Sequence, residues 1–242
     1  MSEVDQKRRQ ILAWGAAMAG VTLAPGVTLF DLAHGRAPTE PASSKVRWGM
    51  LVDLNKCASD CDACVTACDR ENGLPAGKTA TSAQWIRKVE LKDMRGHARS
   101  VPMMCQHCAE PPCVDVCPTG ASFKRADGIV LVDRHTCIGC RYCMMACPYK
   151  ARSFVHEPTT GQRPDVPRGK GCVESCTLCV HRIDRGGIPA CVEACEAAGH
   201  KALLFGNLND PESEIAKRVA SYATSAVRAD LRLDPGVRYV GL

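Results

Sequence analysis

The chain has 242 residues, of which 17 are cysteines and only 5% are aromatic, and its formal net charge is +5 at pH 7. This length allows one or two compact domains, but the scarcity of large aromatic side chains indicates that something besides a hydrocarbon core stabilises the fold. The modest, dispersed basic charge argues against a nucleic-acid-binding protein, which leaves disulfides, zinc or iron–sulfur clusters as uses for the cysteines.

The N-terminal segment has the layout of an export signal. Lys7 and the pair Arg8–Arg9 precede an apolar run over 11–30, and a more polar stretch of small residues follows over 31–44. Adjacent arginines are typical of the twin-arginine signal, which carries proteins that are already folded. We therefore expect residues 1–37 to be a twin-arginine-type signal or, as the alternative, a retained membrane anchor, since about twenty helical residues just span a bilayer.

The first cysteine group follows a predicted strand over 48–52. Its four members, spaced C-x3-C-x2-C-x3-C, are Cys57, Cys61, Cys64 and Cys68. The extra residue between Cys57 and Cys61 departs from the spacing of bacterial ferredoxins. We therefore expect this group to be the place where a cluster is most easily modified or lost. Alternating apolar and polar residues predict a further strand over 85–89.

Two groups lie close together in the middle of the chain. The second, spaced C-x2-C-x4-C-x3-C-P, comprises Cys105, Cys108, Cys113 and Cys117. The third, spaced C-x2-C-x2-C-x3-C-P, comprises Cys137, Cys140, Cys143 and Cys147. The third spacing is that of bacterial ferredoxins, in which three cysteines wrap one [4Fe–4S] cluster and the fourth ligates the neighbouring cluster. That crossover requires cysteine groups to work in pairs.

A Pro- and Gly-rich loop over 158–171 leads to the fourth group. Its members, spaced C-x2-C-x11-C-x3-C, are Cys176, Cys179, Cys191 and Cys195. Cys172 is left over, because the fourth group is complete without it. We expect Cys172 to be a buried thiol or, as the alternative, a substitute for Cys176.

Other elements follow from local patterns. The residue pattern predicts strands over 129–132 and 202–205, short helices over 142–146 and 192–198, and a longer helix over 213–228. Asn209-Asp210-Pro211 is the expected cap and first turn of that longer helix. The tail to Leu242 shows no chemistry of its own, so packing and subunit docking are both open as its role.

Internal repeats indicate which groups pair. Leu51-Val52-Asp53 and Leu131-Val132-Asp133 each end four residues before a group, so groups one and three are equivalent halves. Groups two and four share the pattern Cys-Val-acidic-x-Cys and are the other halves. Adjacent groups two and three then form an inner module over 101–164, inside an outer module over 46–100 and 165–206, with residues 207–242 as a C-terminal extension. The fold class is α+β, with two bacterial-ferredoxin-like modules of βαββαβ type, one nested within the other.

The crossover assigns all sixteen motif cysteines as iron ligands of four [4Fe–4S] clusters, and we expect no catalytic residue. The outer module holds site 1, formed by Cys57, Cys61, Cys64 and Cys195, and site 2, formed by Cys68, Cys176, Cys179 and Cys191. The inner module holds site 3, formed by Cys105, Cys108, Cys113 and Cys147, and site 4, formed by Cys117, Cys137, Cys140 and Cys143.

Other uses of the cysteines fit less well. A disulfide framework does not explain repeated C-x2-C-x2-C-x3-C-P runs, and structural zinc does not explain triple spacing with a terminal proline. A radical enzyme would need a barrel for which the chain is too short. We assign no ligand role to His107 or His181. For the four cations near the motifs we expect ordinary solvated surface, although each could offset cluster charge: Arg141, Lys150, Arg152 and Arg182.

These residues resemble the four-cluster ferredoxin subunits, of NrfC, PsrB and DmsB type, of membrane-associated respiratory complexes. The resemblance covers nearly all of 46–242 and includes the segments 176–182 and 205–211. It implies a subunit that transfers electrons through four [4Fe–4S] clusters and performs no catalysis itself.

Within that family, the leader, the Cys57-x3-Cys61 spacing and the ending over 236–242 are similar to the DsrO-type subunits of sulfur-metabolising DsrMKJOP complexes. This implies a periplasmic protein, bound to the inner membrane through its partners or a retained anchor. The implied partners are an integral membrane, quinone-interacting subunit of NrfD or DsrP type and a multihaem c-type cytochrome like DsrJ, with no nucleic acid and no small-molecule substrate. The alternative is the electron-transfer subunit of a molybdopterin reductase, such as polysulfide or tetrathionate reductase.

Overall fold

The structure is a computed structural model that describes residues 41–75, 79, 81–92, 94, 96 and 98–242. The predicted signal or anchor over 1–37 lies outside these residues. None of the helices among the described residues is long and apolar enough to cross a membrane.

Short elements alternate along the described chain. The strands are β1 (Trp48–Asp53), β2 (Ile86–Lys92), β3 (Ala98–Met104), β4 (Ser122–Lys124), β5 (Val130–Val132), β6 (Ser153–Phe154), β7 (Val173–Glu174), β8 (Leu203–Asn207), β9 (Thr224–Ser225) and β10 (Val237–Val240). The helices are α1 (Ala63–Glu71), α2 (Pro112–Asp115), α3 (Tyr142–Ala146), α4 (Val180–Ile183), α5 (Ala190–Ala197) and α6 (Glu214–Ser221), with a 3-10 turn at Ala229–Leu231.

A four-stranded sheet in the order β8-β1-β10-β9 joins distant parts of the chain. Strand β1 pairs antiparallel with β8, with Val52 opposite Leu203, and parallel with β10, with Met50 opposite Val237. Strand β9 completes the sheet antiparallel to β10. The C-terminal tail therefore provides an internal strand, which answers the question of its role in favour of packing.

Three antiparallel pairs stand beside this sheet: β2 with β3, β4 with β5, and β6 with β7. The pair β4–β5 follows the second cysteine group and precedes the third, whereas β6–β7 spans the irregular loop between the third group and the fourth. The pairs hold the cysteine-bearing loops in place, because each strand leads directly into or out of one of them. The fold is thus a small mixed helix and strand structure, as the α+β class predicts.

Buried cysteines make up a large part of the core, together with few large side chains. Trp85 and Tyr239 are the largest fully buried residues, and they pack in one cluster with Met50, Ile129 and buried cysteines of all four groups. A cluster-lined interior of this kind is what a chain poor in aromatics needs in order to bury enough surface.

Most predicted elements are confirmed within one to three residues, but the long helix over 213–228 is wrong. Helix α6 ends at Ser221, and the chain continues extended into β9. Strand β9 pairs with β10 from the far end of the tail, a partner that local periodicity does not reveal. The predicted cap at 209–211 is also wrong, because the Ser213 hydroxyl accepts the N–H of Ala216.

Candidate iron–sulfur cluster sites

Three of the four cysteine loops share a backbone device. The residue just before the second cysteine has positive φ in each: His107 at 43°, Gly139 at 71° and Leu178 at 53°. A left-handed residue there reverses the chain, so that the flanking sulfurs face one centre. At Gly139 a side chain is also excluded by space, because a Cβ would overlap the carbonyl oxygen of Gly171.

The loop of the first group is built differently. No residue between Cys57 and Cys61, all of which the structure describes, has positive φ. Instead the ammonium of Lys88 donates to the carbonyl oxygens of Ala58, Ser59 and Cys61, at 2.9, 2.8 and 2.8 Å. Lys88 therefore orders the longer loop from β2. Sequence reasoning missed Lys88, since nothing in its local pattern links it to a loop about thirty residues earlier.

Two of the predicted ligand sets line cavities of their own. The four cysteines of site 1 surround one cavity, with Cys195 arriving from α5 far along the chain. The four cysteines of site 4 surround another, with Cys117 arriving from the loop after α2. In both, the structure brings together three cysteines of one group and the last cysteine of the other group. Cys140 is the exposed member of site 4.

The thiols of sites 2 and 3 are electrostatic neighbours in the predicted sets. Burial raises the pKa of Cys68 well above its usual range, and the nearby thiols of Cys176, Cys191 and Cys179 raise it further. Burial likewise raises the pKa of Cys108 to about 12, with added effects from Cys113 and Cys147. Each neighbour belongs to the same predicted set, although ligation itself stays a prediction.

The sites also follow one another in space. After burial and the thiols of its own set, Cys64 of site 1 raises the pKa of Cys191 of site 2. The buried Cys105 of site 3 has Cys176 of site 2 among the groups that raise its pKa. Cys113 of site 3 is affected in the same way by Cys143 of site 4. The neighbouring thiols therefore place the sites in the order 1, 2, 3, 4.

Several sulfurs accept hydrogen bonds from N–H groups. Backbone donors contact Cys117 at 3.3 Å, Cys195 at 3.2 Å, Cys176 at 3.4 Å and Cys137 at 3.5 Å. Although burial opposes it, the donors around Cys117 hold its pKa below the usual value. Donors to sulfur stabilise thiolates, which are the form that ligates iron.

Buried donors without protein partners fit bound clusters. His107 accepts the Val130 N–H through Nδ1 at 3.0 Å, so Nε2 carries the proton and has no partner among the described atoms. Burial lowers the His107 pKa to about 3, which keeps the ring neutral. Arg152 Nε and Nη1 are buried and unpartnered in the same sense. Buried donors need acceptors, and the sulfides and thiolates of a cluster would supply them.

A single metal ion fits the described residues less well. No three His, Cys, Asp or Glu side chains among them converge as the ligands of one ion do. A [4Fe–4S] cluster is instead bound by four thiolates at separate corners.

The cations near the motifs differ from one another. Arg141 and Lys150 are exposed, as predicted, and Arg141 lies over the Phe154 ring with 3.8 Å to its centroid. Arg182 is half-buried and pairs with Glu193 at 2.6 Å. For Arg152 the expectation of solvated surface is wrong, because its side chain is buried between cysteine loops.

Cys172 is a buried thiol, as predicted. Its sulfur donates to the carbonyl oxygen of Arg134 at 3.2 Å, which requires the protonated form. Burial raises its pKa, and the thiol neighbour that adds most is Cys137. This position next to Cys137 does not favour the alternative in which Cys172 replaces Cys176.

Comparisons with known proteins agree with this arrangement. Two family models, both described as a 4Fe-4S dicluster domain, match residues 97–207 and 56–121, and two such domains give four [4Fe–4S] clusters. The Hdr-like menaquinol oxidoreductase iron-sulfur subunit 1 of Archaeoglobus fulgidus is 42% identical, over 98% of this chain and 98% of its own. A tetrathionate reductase subunit from Salmonella typhimurium is 36% identical over 99% and 90%, and the protein NrfC of Escherichia coli K12 is 40% identical over 78% of each chain.

Proposed function

We propose, from the premise that this chain belongs to the family of four-cluster [4Fe–4S] ferredoxin-like electron-transfer subunits, that it conducts electrons within a membrane-bound, quinone-interacting redox complex linked to sulfur metabolism. The observation that carries the proposal is the series of four cysteine sites, each with thiols next to those of the following site. Each bound cluster supplies a one-electron redox centre. The chain's own residues hold these centres close together and shield most of them from water.

We assign the ligands as four crossed sets in two nested modules, with the composition given for sites 1 to 4. Cys117→Ser tests the crossover, because it should disturb the site 4 cluster and leave site 3 intact. Iron should fall from about sixteen per chain to between about twelve and fifteen, depending on whether the whole cluster or one corner is lost. Cys172→Ser is the matched control and should keep about sixteen.

The electron paramagnetic resonance spectrum of each reduced variant identifies the disturbed cluster. A change confined to the cluster held by Cys105, Cys108 and Cys113 would show that the crossover is wrong. A wild-type iron content near eight, or bound zinc in its place, would remove the four-cluster basis of the function.

The partner we propose is an integral membrane subunit of NrfD or DsrP type, with a multihaem c-type cytochrome like DsrJ as neighbour. A relative whose name states menaquinol oxidoreductase supports this choice. The second candidate is the electron-transfer subunit of a molybdopterin reductase, and the similarity to the tetrathionate reductase subunit favours it. Purification of the intact complex from detergent-solubilised membranes separates them: quinone-reactive and haem subunits are expected, and a molybdopterin subunit would overturn the first candidate.

We also propose that the complex faces the periplasm. The support is the Arg8–Arg9 pair ahead of the apolar run over 11–30. Replacing both arginines by lysine should leave the cluster-loaded protein in the cytoplasm, whereas Lys7→Gln should not. Equal periplasmic amounts of the double variant and the wild type would contradict export by this signal.

A further inference from the structure

Arg152 is a buried cation without a carboxylate partner. It lies just before β6, and its side chain leaves only 5% of the residue exposed. Its Nη2 donates to the Cys113 sulfur at 3.1 Å and to the Ser122 hydroxyl at 2.7 Å. No Asp or Glu among the described residues forms an ion pair with it. Burying an unpaired charge is costly, so a compensating anion is needed at this place.

The groups around the guanidinium come from two sites. Cys113 and Cys105 belong to site 3, and Cys143 belongs to site 4, and all three favour the charged guanidinium. Two of its nitrogens, Nε and Nη1, have donors that no described atom accepts. The charge and the free donors therefore face the space where the two inner clusters are bound.

Ser122 fixes this geometry and connects the two sites. Its hydroxyl accepts from Arg152, while its backbone N–H donates to the sulfur of Cys117, a site 4 ligand, at 3.3 Å. Ser122 is itself buried, so water does not compete for either bond. The guanidinium is held in one orientation between the inner sites.

We propose that Arg152 is a potential-setting residue shared by the clusters of sites 3 and 4. A cluster gains one negative charge when it is reduced, so a fixed positive charge and N–H donors to its sulfurs favour the reduced form. Net charge and hydrogen bonds to sulfur are among the factors that set iron–sulfur potentials. Arg152 would thus keep both inner clusters easier to reduce than their ligands alone would make them, and it rests on the ligand sets proposed above.

The test is a redox titration of the anaerobically purified full chain, followed by electron paramagnetic resonance. Arg152→Gln removes the charge, and we expect it to weaken reduction of two of the four clusters by tenfold or more, which is a fall of 59 mV or more for a one-electron couple. Arg152→Lys keeps the charge without the fork and should give an intermediate value. Lys150→Gln removes an exposed charge from the same segment and should shift no cluster by more than about threefold, or about 28 mV.

The affected clusters are identified by combining Arg152→Gln with Cys117→Ser, which marks the signal of site 4. Full iron with four unchanged potentials, or an equal shift of all four, would overturn the role of Arg152 and leave the ligand sets standing. A shift confined to sites 1 and 2 would overturn it as well.

If Arg152→Gln loses clusters, Ser122→Ala provides the second measurement. That variant keeps the charge but releases the guanidinium, so the same two potentials should fall by a smaller amount. Full iron with no shift in Ser122→Ala would contradict the proposal. Failure of the ligand sets themselves is visible separately, as a wild-type iron content well below about sixteen.

Discussion

Lys88 shows how one side chain substitutes for a backbone turn. The other three cysteine loops reverse through a left-handed residue, whereas the loop with the extra residue is held by the Lys88 ammonium, whose side chain is 10% exposed. Hydrogen bonds to a charged donor contribute about 1.5–3 kcal/mol each. The loop that the sequence marks as irregular therefore has an external support, and site 1 depends on it.

We predict that Lys88→Met releases this loop and makes the site 1 cluster selectively labile. Iron should fall toward about twelve per chain after brief exposure to air, while the other three clusters persist. Lys92→Met is the matched control, because Lys92 lies on the same strand but is exposed and approaches only Glu90, at 3.8 Å. Equal rates of iron loss in the two variants would show that the three carbonyl contacts contribute nothing to site 1.

Among the elements, strand β10 has the largest consequence for the fold. It lies between β1 and β9, and its Tyr239 is fully buried, donating its hydroxyl to the Pro102 carbonyl at 3.2 Å and accepting from Gln106 at 3.2 Å. Tyr239 thereby connects the C-terminal strand to the segment that carries the second cysteine group. The last residues of the chain thus help to position site 3.

We predict that Tyr239→Ala lowers the free energy of unfolding by about 4 kcal/mol, the cost of an aromatic-to-alanine change in a core. Tyr222→Ala removes the same side chain from an exposed position after α6 and should change stability by less than about 0.5 kcal/mol. Anaerobic urea unfolding of the cluster-loaded protein measures both. Similar midpoints would mean that β10 is not part of the cooperative unit.

Local sequence patterns predict the elements next to the cysteine groups well. Strands β1, β5 and β8 and helix α3 were all foreseeable, because short apolar runs and cysteine spacing determine them within a few residues. The parallel pairing of β1 with β10 joins residues almost 190 positions apart, and no local pattern encodes such a pairing. The same limit explains why Lys88 and Arg152 were missed: their roles depend on groups brought close only by folding.

For the whole molecule, the cysteine sites occupy the place that a hydrocarbon core has elsewhere. Buried cysteines of all four groups belong to the main core cluster, and aromatic residues are only 5% of the chain. The order of sites from 1 to 4 runs through that core, so the electron path and the stabilising interior are the same structure. Stability and conduction should consequently be lost together.

We predict that removing the clusters abolishes cooperative folding. Without them, the Arg152 guanidinium and the His107 N–H face an interior with no acceptor, at a cost of about 1–3 kcal/mol for each unsatisfied group and more for the charge. The space that the clusters fill becomes cavity, which destabilises further. Both penalties are large against a total stability of about 5–15 kcal/mol. An oxidant with a chelator should therefore abolish the cooperative thermal transition seen by circular dichroism and expand the chain in size-exclusion chromatography.

Anaerobic incubation with the chelator alone is the control, since intact clusters resist it and the transition should persist. Reduction of the iron-free protein afterwards excludes disulfides as the cause of any expansion. An iron-free, fully reduced chain with a sharp transition and a native elution volume would contradict the prediction. It would mean that the four-stranded sheet and the strand pairs bury enough apolar surface to fold alone, and that the clusters are inserted into a finished structure.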